Sequence, residues 1–224
     1  MTTTTKQRTL VSPRAPRLPS ATADYDERYV NQLNNILRLY FNQLDNFDQS
    51  LIASSGGRYL SAPYGAFQDS TTQTAVINTA TPLRFNTIDF ANEVYIENST
   101  KIRVANAGVY NIQFSIQVQN TDNASHDLSI WLRQGNDGGT SVDIPGSTGL
   151  VGLPPRKTPS DFFHTITGWN YFISLQVDDY IEIYWSTDST SITIQQYPVG
   201  TAPVRPTTAS AVVSMSFVSA LPVG

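Results

Sequence analysis

The chain has 224 residues, a formal net charge of −4, 40% hydrophobic and 11% aromatic residues, and only 14% charged residues. That is room for one core-forming domain with appendages, and the weak acidity argues against nucleic acid as the main partner. Cysteine is absent, which excludes disulfides, thiolate chemistry and thiolate-based zinc sites. No stretch approaches the roughly 20 apolar residues of a membrane span, and no apolar run opens the chain, so neither membrane insertion nor an ordinary signal peptide is expected.

Residues 1–23 read as an extended arm, because Pro13, Pro16 and Pro19 interrupt any helix. Lys6, Arg8, Arg14 and Arg17 are its charged side chains; the arm therefore carries about +4 and, from the total of −4, the remainder about −8. The arm has too little apolar surface for a core of its own. It is either a solvated tail or a docking segment that becomes ordered on a larger acidic assembly, with those four cations as the docking residues.

A helix is expected over residues 24–55. Tyr25, Tyr29, Leu33, Ile36, Tyr40, Leu44, Phe47 and Leu51 follow one another at spacings of 4, 4, 3, 4, 4, 3 and 4. This is an 11-residue repeat, close to the natural period of a helix, so the stripe hardly drifts around the axis. Val30, Leu37, Phe41 and Ile52 widen it. Ser20 or Thr22 would cap the start, with Asp24, Asp26 and Glu27 in the first turn, and Ser54-Ser55-Gly56-Gly57 would stop it. Such a face needs a partner: either the chain's own β domain or sister copies. Tyrosines in a seam need width and a hydroxyl outlet, which favours three helices over two and makes the stripe a candidate trimerisation surface. Residues 56–70, with their glycines and prolines, read as a linker.

From residue 71 to 224 the period switches to two. In Val109–Gln119, Tyr110, Ile112, Phe114, Ile116 and Val118 face one way and polar residues the other, the pattern of an antiparallel sheet with one buried face. Leu128, Ile130 and Leu132 repeat it, with Trp131 and Arg133 opposite. Further strands are expected at 83–85, 94–96, 102–104, 169–177, 180–186, 191–197 and 211–219. Asn136-Asp137-Gly138-Gly139 and Asp178-Asp179 mark tight turns. The fold class is mainly β: an antiparallel jelly-roll sandwich preceded by the arm and one long helix.

Chemistry is sparse. His126, in an expected loop, and His164, in an expected strand, are the two histidines, and no Gly-x-Ser-x-Gly elbow accompanies them. No catalytic residue, cofactor or metal site is assigned, and an enzyme is not expected. The densest acidic group, Asp178, Asp179, Glu182 and Asp188, would have to supply the paired carboxylates of a glycan-cleaving enzyme, the alternative reading. Those acids, or Asp122 and Asp127, are the oxygen donors a calcium ion would need, although solvated loop acids explain them better. Trp131, Trp185, Tyr184 and Tyr197 could offer aromatic faces to a glycan. The segment 145–160, with Pro154-Pro155-Arg156-Lys157, is long enough to be a functional loop, or a plain crossover.

The order of these segments resembles a known family. Ile102-Arg-Val-Ala-Asn-Ala-Gly108-Val-Tyr110-Asn-Ile-Gln-Phe114 is similar to the passage from basic strand through Ala-Gly-x-Tyr to alternating strand in complement globular-head and tumour-necrosis-factor-like jelly rolls. Asp127-Leu-Ser-Ile-Trp131-Leu-Arg133 resembles the next strand in phage versions. Gly168–Leu175 followed by Val177-Asp-Asp179-Tyr-Ile-Glu-Ile183 is similar to the family's Leu-x-x-Gly-Asp-x-Ile hairpin, with Asp178 in place of the glycine. Residues 24–44 also resemble segments in virion structural proteins of marine and cyanobacterial phages. The resemblance implies a trimeric head and a non-enzymatic virion fibre or appendage. It would be made in the host cytoplasm, would dock on capsid, neck or tail proteins, and would reach toward a host-surface glycan or protein.

Overall fold

The computed structural model describes residues 13–20, 23–52, 62–136 and 138–221. The chain divides into two units, Met1–Ser61 and Ala62–Gly224.

In the first unit residues 13–20 are irregular, with Arg14 and Arg17 exposed; Lys6 and Arg8 lie outside the described residues. Helix α1 spans Glu27–Ile52, 26 residues. The Arg28 N–H donates to the Asp26 carboxylate at 2.8 Å, and the Val30 N–H donates to the Asp26 carbonyl at 3.1 Å. Asp26 is therefore the cap and not Ser20, because its short carboxylate reaches the unpaired first-turn amide directly; Thr22 lies outside the described residues. Tyr25, expected in the stripe, precedes the helix and is 84% exposed. The expected stop at Ser54–Gly57 lies outside the described residues.

Tyr29, Leu33, Ile36, Tyr40, Leu44, Phe47 and Leu51 are half-buried, as are Val30 and Leu37; no described side chain of α1 is fully buried. Neighbours at three and four residues' distance on one helix shade each other to about this degree. No helix of the described residues is long and apolar enough to cross a membrane.

The second unit is built of strands β1 (Tyr64–Asp69), β2 (Thr81–Pro82), β3 (Thr87–Asn92), β4 (Val94–Glu97), β5 (Lys101–Val104), β6 (Gly108–Asn120), β7 (His126–Gly135) and β8 (Val142–Asp143). They are followed by β9 (Gly149–Leu153), β10 (Phe163–Leu175), β11 (Tyr180–Thr187), β12 (Ile192–Ile194), β13 (Gly200–Thr201), β14 (Val204–Arg205) and β15 (Ala211–Ser219). Two antiparallel sheets pack face to face as a jelly-roll sandwich. One runs β10-β6-β15-β1-β3, with β12 beside β6 where β15 ends; the other runs β4-β5-β11-β7-β8, with β2 on β11 and β9 on β7.

The alternation of β6 sets the core. Tyr110, Ile112, Phe114, Ile116 and Val118 point inward and are at most 3% exposed. They meet Val213 and Met215 of β15 from their own sheet, and Leu128, Ile130, Leu132, Ile181, Ile183 and Trp185 from the other. Burying a side chain of this size contributes about 1.5–3 kcal/mol, so this layer is a large favourable contribution to folding.

Three segments depart from the sequence reading. β1 lies inside the expected linker 56–70 and the sandwich begins by residue 62: Phe67 is 1% exposed, and β1 bridges β15 and β3. Its pairing is long-range, so glycine and proline nearby masked a real strand. Leu83 and Phe85 are buried but carry no strand; their N–H groups donate singly to Ile183 and Ser99 carbonyls at 2.7 Å. Segment 145–160 is not all loop, since β9 pairs with β7 from His126↔Leu153 to Ile130↔Gly149.

The chain enters the sandwich beside the close of β15, where the Phe217 N–H donates to the Pro63 carbonyl at 2.9 Å. The β5–β6, β7–β8 and β10–β11 connections share that end. The β6–β7 and β11–β12 connections, and the segment after β9, share the remote one.

Candidate functional site

The outward faces of the two sheets differ in chemistry. On β10, β6 and β15 the outward positions alternate with the core residues of each strand. They read His164, Ile166, Gly168, Asn170, Phe172 and Ser174; Val109, Asn111, Gln113, Ser115, Gln117 and Gln119; and Val212, Ser214, Ser216 and Val218. No Lys, Arg, Asp or Glu stands among them. Ile166 is 64% exposed and Phe172 60%. Tyr64 and Phe90 extend the apolar rim, with ring centroids 5.9 Å apart. The middle is shallow, because Ser115, Ser214, Ala66 and Gly168 are small; grooves of about 340 and 430 Å³ run over them. Charge enters only at the margin, where Asp89 of β3 lines the first groove, and a strand surface so poor in charge is suited to burial against protein rather than to facing water.

The outward face of the other sheet is charged and internally paired. Arg103, 3% exposed, binds the Glu97 carboxylate through Nε at 2.9 Å and through a second, shorter contact from Nη2. Thr100 donates to Glu182 at 2.6 Å, and Lys101 lies 4.2 Å from the centroid of the Tyr180 ring. Arg133 sits 4.0 Å over the Tyr184 ring and donates to Asp143 at 2.7 Å. Trp131 stacks on the other partner of this group, Tyr184, and its indole N–H donates to Asp143 at 2.9 Å. The Arg133 hydrogen bond holds the Asp143 carboxyl below its ordinary range, while burial pushes the Tyr184 hydroxyl up. Arg103 and Arg133 are paired with the carboxylates of Glu97 and Asp143, Lys101 rests on a tyrosine ring and Glu182 accepts from a hydroxyl, so these charges are engaged within the sheet itself.

The candidate ligand contacts therefore separate. Trp131 is half-buried in that network. Trp185 is 0% exposed and cannot touch a ligand. It shares strand parity with Ile181 and Ile183, a signal readable from the sequence, and its Nε1 is buried without a partner. Tyr197 is half-buried; its hydroxyl lies 2.6 Å from His164 Nδ1, and burial raises its pKa.

The acidic group is divided too. Asp178 and Asp179 line an open cleft of about 690 Å³ at the chain-entry end, together with Gln134, Asn136, Asp143 and Gln176. Asp179 is 5% exposed and accepts from the Gln176 N–H at 2.8 Å and Gln134 Nε2 at 3.0 Å, so it fastens a turn. Glu182 belongs to the outer network and Asp188 to the remote end, neither lining that cleft. Among the described residues no group of three or more histidine and carboxylate side chains is placed to hold a metal ion. His126, expected in a loop, is the first residue of β7 and meets Asp122 and Asp188.

No family model matches the chain, and no curated protein sequence does. Among solved structures, that of Eiger TNF from S. frugiperda is similar at 9% identity and a TM-score of 0.46, covering 72% of this chain and 96% of that one.

Proposed function

We propose that the protein is a non-enzymatic structural component of a phage virion, a homotrimeric appendage. Its basic arm docks on capsid, neck or tail, its helix self-associates, and its jelly-roll head faces outward toward a host-surface glycan or protein. The observation that carries this reading is α1: a 26-residue helix with an apolar stripe along its length and no fully buried described side chain. A helix of this composition is marginal alone in water and gains its stability by covering that stripe. The uncharged outward face of the β10-β6-β15 sheet supports self-association of the head as well. The phage assignment is supported by the sequence resemblance of residues 24–44 and of the Ile130-Trp131-Leu132-Arg133 strand.

Sedimentation velocity at micromolar concentration is the test. A species near three times 24.7 kDa is expected, and a clean monomer would reject the reading. Deleting residues 1–23 should leave that species intact and abolish incorporation into particles; unchanged incorporation would remove the docking role from the arm. Cleavage of host polysaccharide that vanished on substituting Asp179 or Glu182 would favour a depolymerase instead.

A further inference from the structure

Strand β10 ends its sheet, and its free edge lacks the features that keep other edges from pairing. Among the described residues it pairs with β6 alone, over all 13 of its residues and with no register shift. Beyond β6, its backbone meets only side chains, both at 3.5 Å: Gln134 Nε2 donates to the Ser174 carbonyl, and the Thr165 hydroxyl to the Ile166 carbonyl. From Phe162 to Val177 the sequence has no Lys, Arg, Asp, Glu or Pro. The other margins differ. β3 carries Asp89, and its pairing with β1 shifts register between Ala66 and Phe67. β4 has 4 residues and ends in Glu97; β9 has 5, with Gly149 and Gly152 among them; β2 and β8 have 2 each, including Pro82 and Asp143. Sheets blunt an exposed edge with charge, proline, bulges or shortness, because a row of unpaired N–H and C=O groups recruits another strand.

The side chains of β10 suit a second copy of the same strand. Two antiparallel copies that overlap along their whole length set Phe163 opposite Leu175 of the second copy, with Trp169 opposite its own mate at the two-fold axis. In that register Ile166 falls opposite Phe172 of the second copy, and Phe172 opposite its Ile166. These are the two large apolar side chains that β10 exposes, at 64% and 60%, and both project from the outward face. A β-branched residue facing an aromatic one is a favourable cross-strand pair. A two-fold contact must also be self-complementary. Any charge on the strand would be buried twice, with no opposite charge there to meet it, and β10 carries none.

We propose that the β10 edge is a two-fold docking surface for a second copy of this chain. Backbone hydrogen bonds join the two sheets into one, and Ile166 and Phe172 cover each other across the seam. One strand edge is small beside the roughly 1,200–2,000 Å² of a stable interface. The contact therefore forms where copies are crowded rather than in dilute solution. It is distinct from association through α1 or through the outward sheet face, and it does not rest on the virion reading.

The chain has no cysteine, so cysteines introduced on the strand report its register directly. Ile166→Cys and Phe172→Cys are made separately in the full chain, mixed at high concentration and oxidised. Directly opposite Cα atoms lie about 4.5–5.5 Å apart, within disulfide reach, whereas identical positions are out of step by about 20 Å. Covalent dimer should form in the mixture and be lost when either variant is oxidised alone. Dimer from a single variant, or none from the mixture, would overturn the proposal. Both positions are exposed, so the fold should be retained, which circular dichroism checks. If a variant fails to fold, hydrogen exchange in the wild-type chain decides. Exchange at alternate β10 amides should slow as protein concentration rises, and one unchanging rate rejects the pairing.

Discussion

Gly168 packs directly on the Phe114 carbonyl across the β10–β6 pair, where a Cβ would overlap the oxygen and lie 2.8 Å from Ser115 Cα. Both obstacles are backbone, so neither can move aside without breaking the longest pairing in the sandwich, which runs from Phe163↔Asn120 to Leu175↔Gly108. Gly168→Ala should cost about 3 kcal/mol, seen as a lowered thermal midpoint. A midpoint within a degree of wild type would show that the seam is looser than described.

Asp178 occupies the left-handed region at φ 64° in the β10–β11 turn. Glycine adopts this conformation without strain, and aspartate tolerates it better than branched residues do. Asp178→Gly should stabilise by up to about 1 kcal/mol and Asp178→Val should destabilise by about as much. Chemical denaturation of the pair checks the order; the reverse order would contradict the turn geometry.

The Asp143 carboxyl titrates below its ordinary value of 3.8, held down first by Arg133 and also by the Trp131 indole. A carboxyl lowered in the folded state contributes stability above its unfolded value and loses it as pH falls through the folded one. The contact is largely solvated, so the readout is local rather than global. Trp131 fluorescence should change only below about pH 3.8, and Asp143→Asn should remove that transition, with unfolding followed separately by circular dichroism.

Trp185 combines full burial with an indole N–H that has no partner. Trp185→Phe removes the unsatisfied donor while leaving a modest void, and the two effects oppose each other. Its cost should stay under about 1.5 kcal/mol, whereas Trp185→Ala should cost about 3–5 kcal/mol. Equal losses would mean that the indole nitrogen is satisfied in solution.

The two proposed association surfaces can be separated. Leu33→Glu with Leu44→Glu places charges in the α1 stripe, and Ser115→Lys with Ser214→Lys places them on the uncharged sheet face. All four positions are short of full burial, so the fold should be retained and sedimentation should report dissociation of about ten-fold or more for each pair of charges facing an interface. Unchanged assembly with both pairs of substitutions would leave neither surface as the contact.

Local periodicity made much of this protein legible in its sequence. The period of two in Val109–Gln119 assigned core and solvent faces, because a strand's side chains alternate whatever else it pairs with. The 11-residue recurrence marked one side of α1 for the same kind of geometric reason. Strand parity even carried the burial of Trp185, since it follows Ile181 and Ile183. Tertiary structure decided what depends on segments distant along the chain. β1 is a strand because β15 and β3 complete its hydrogen bonds, and Arg103 is buried because Glu97 and the Asp178 carbonyl meet it. His126 could be seen to have Asp122 four residues before it, but Asp188 reaches the other nitrogen only once β11 has been laid beside β7. Side-chain direction follows from local backbone geometry, whereas the partner waiting there is supplied by chain folding over tens of residues.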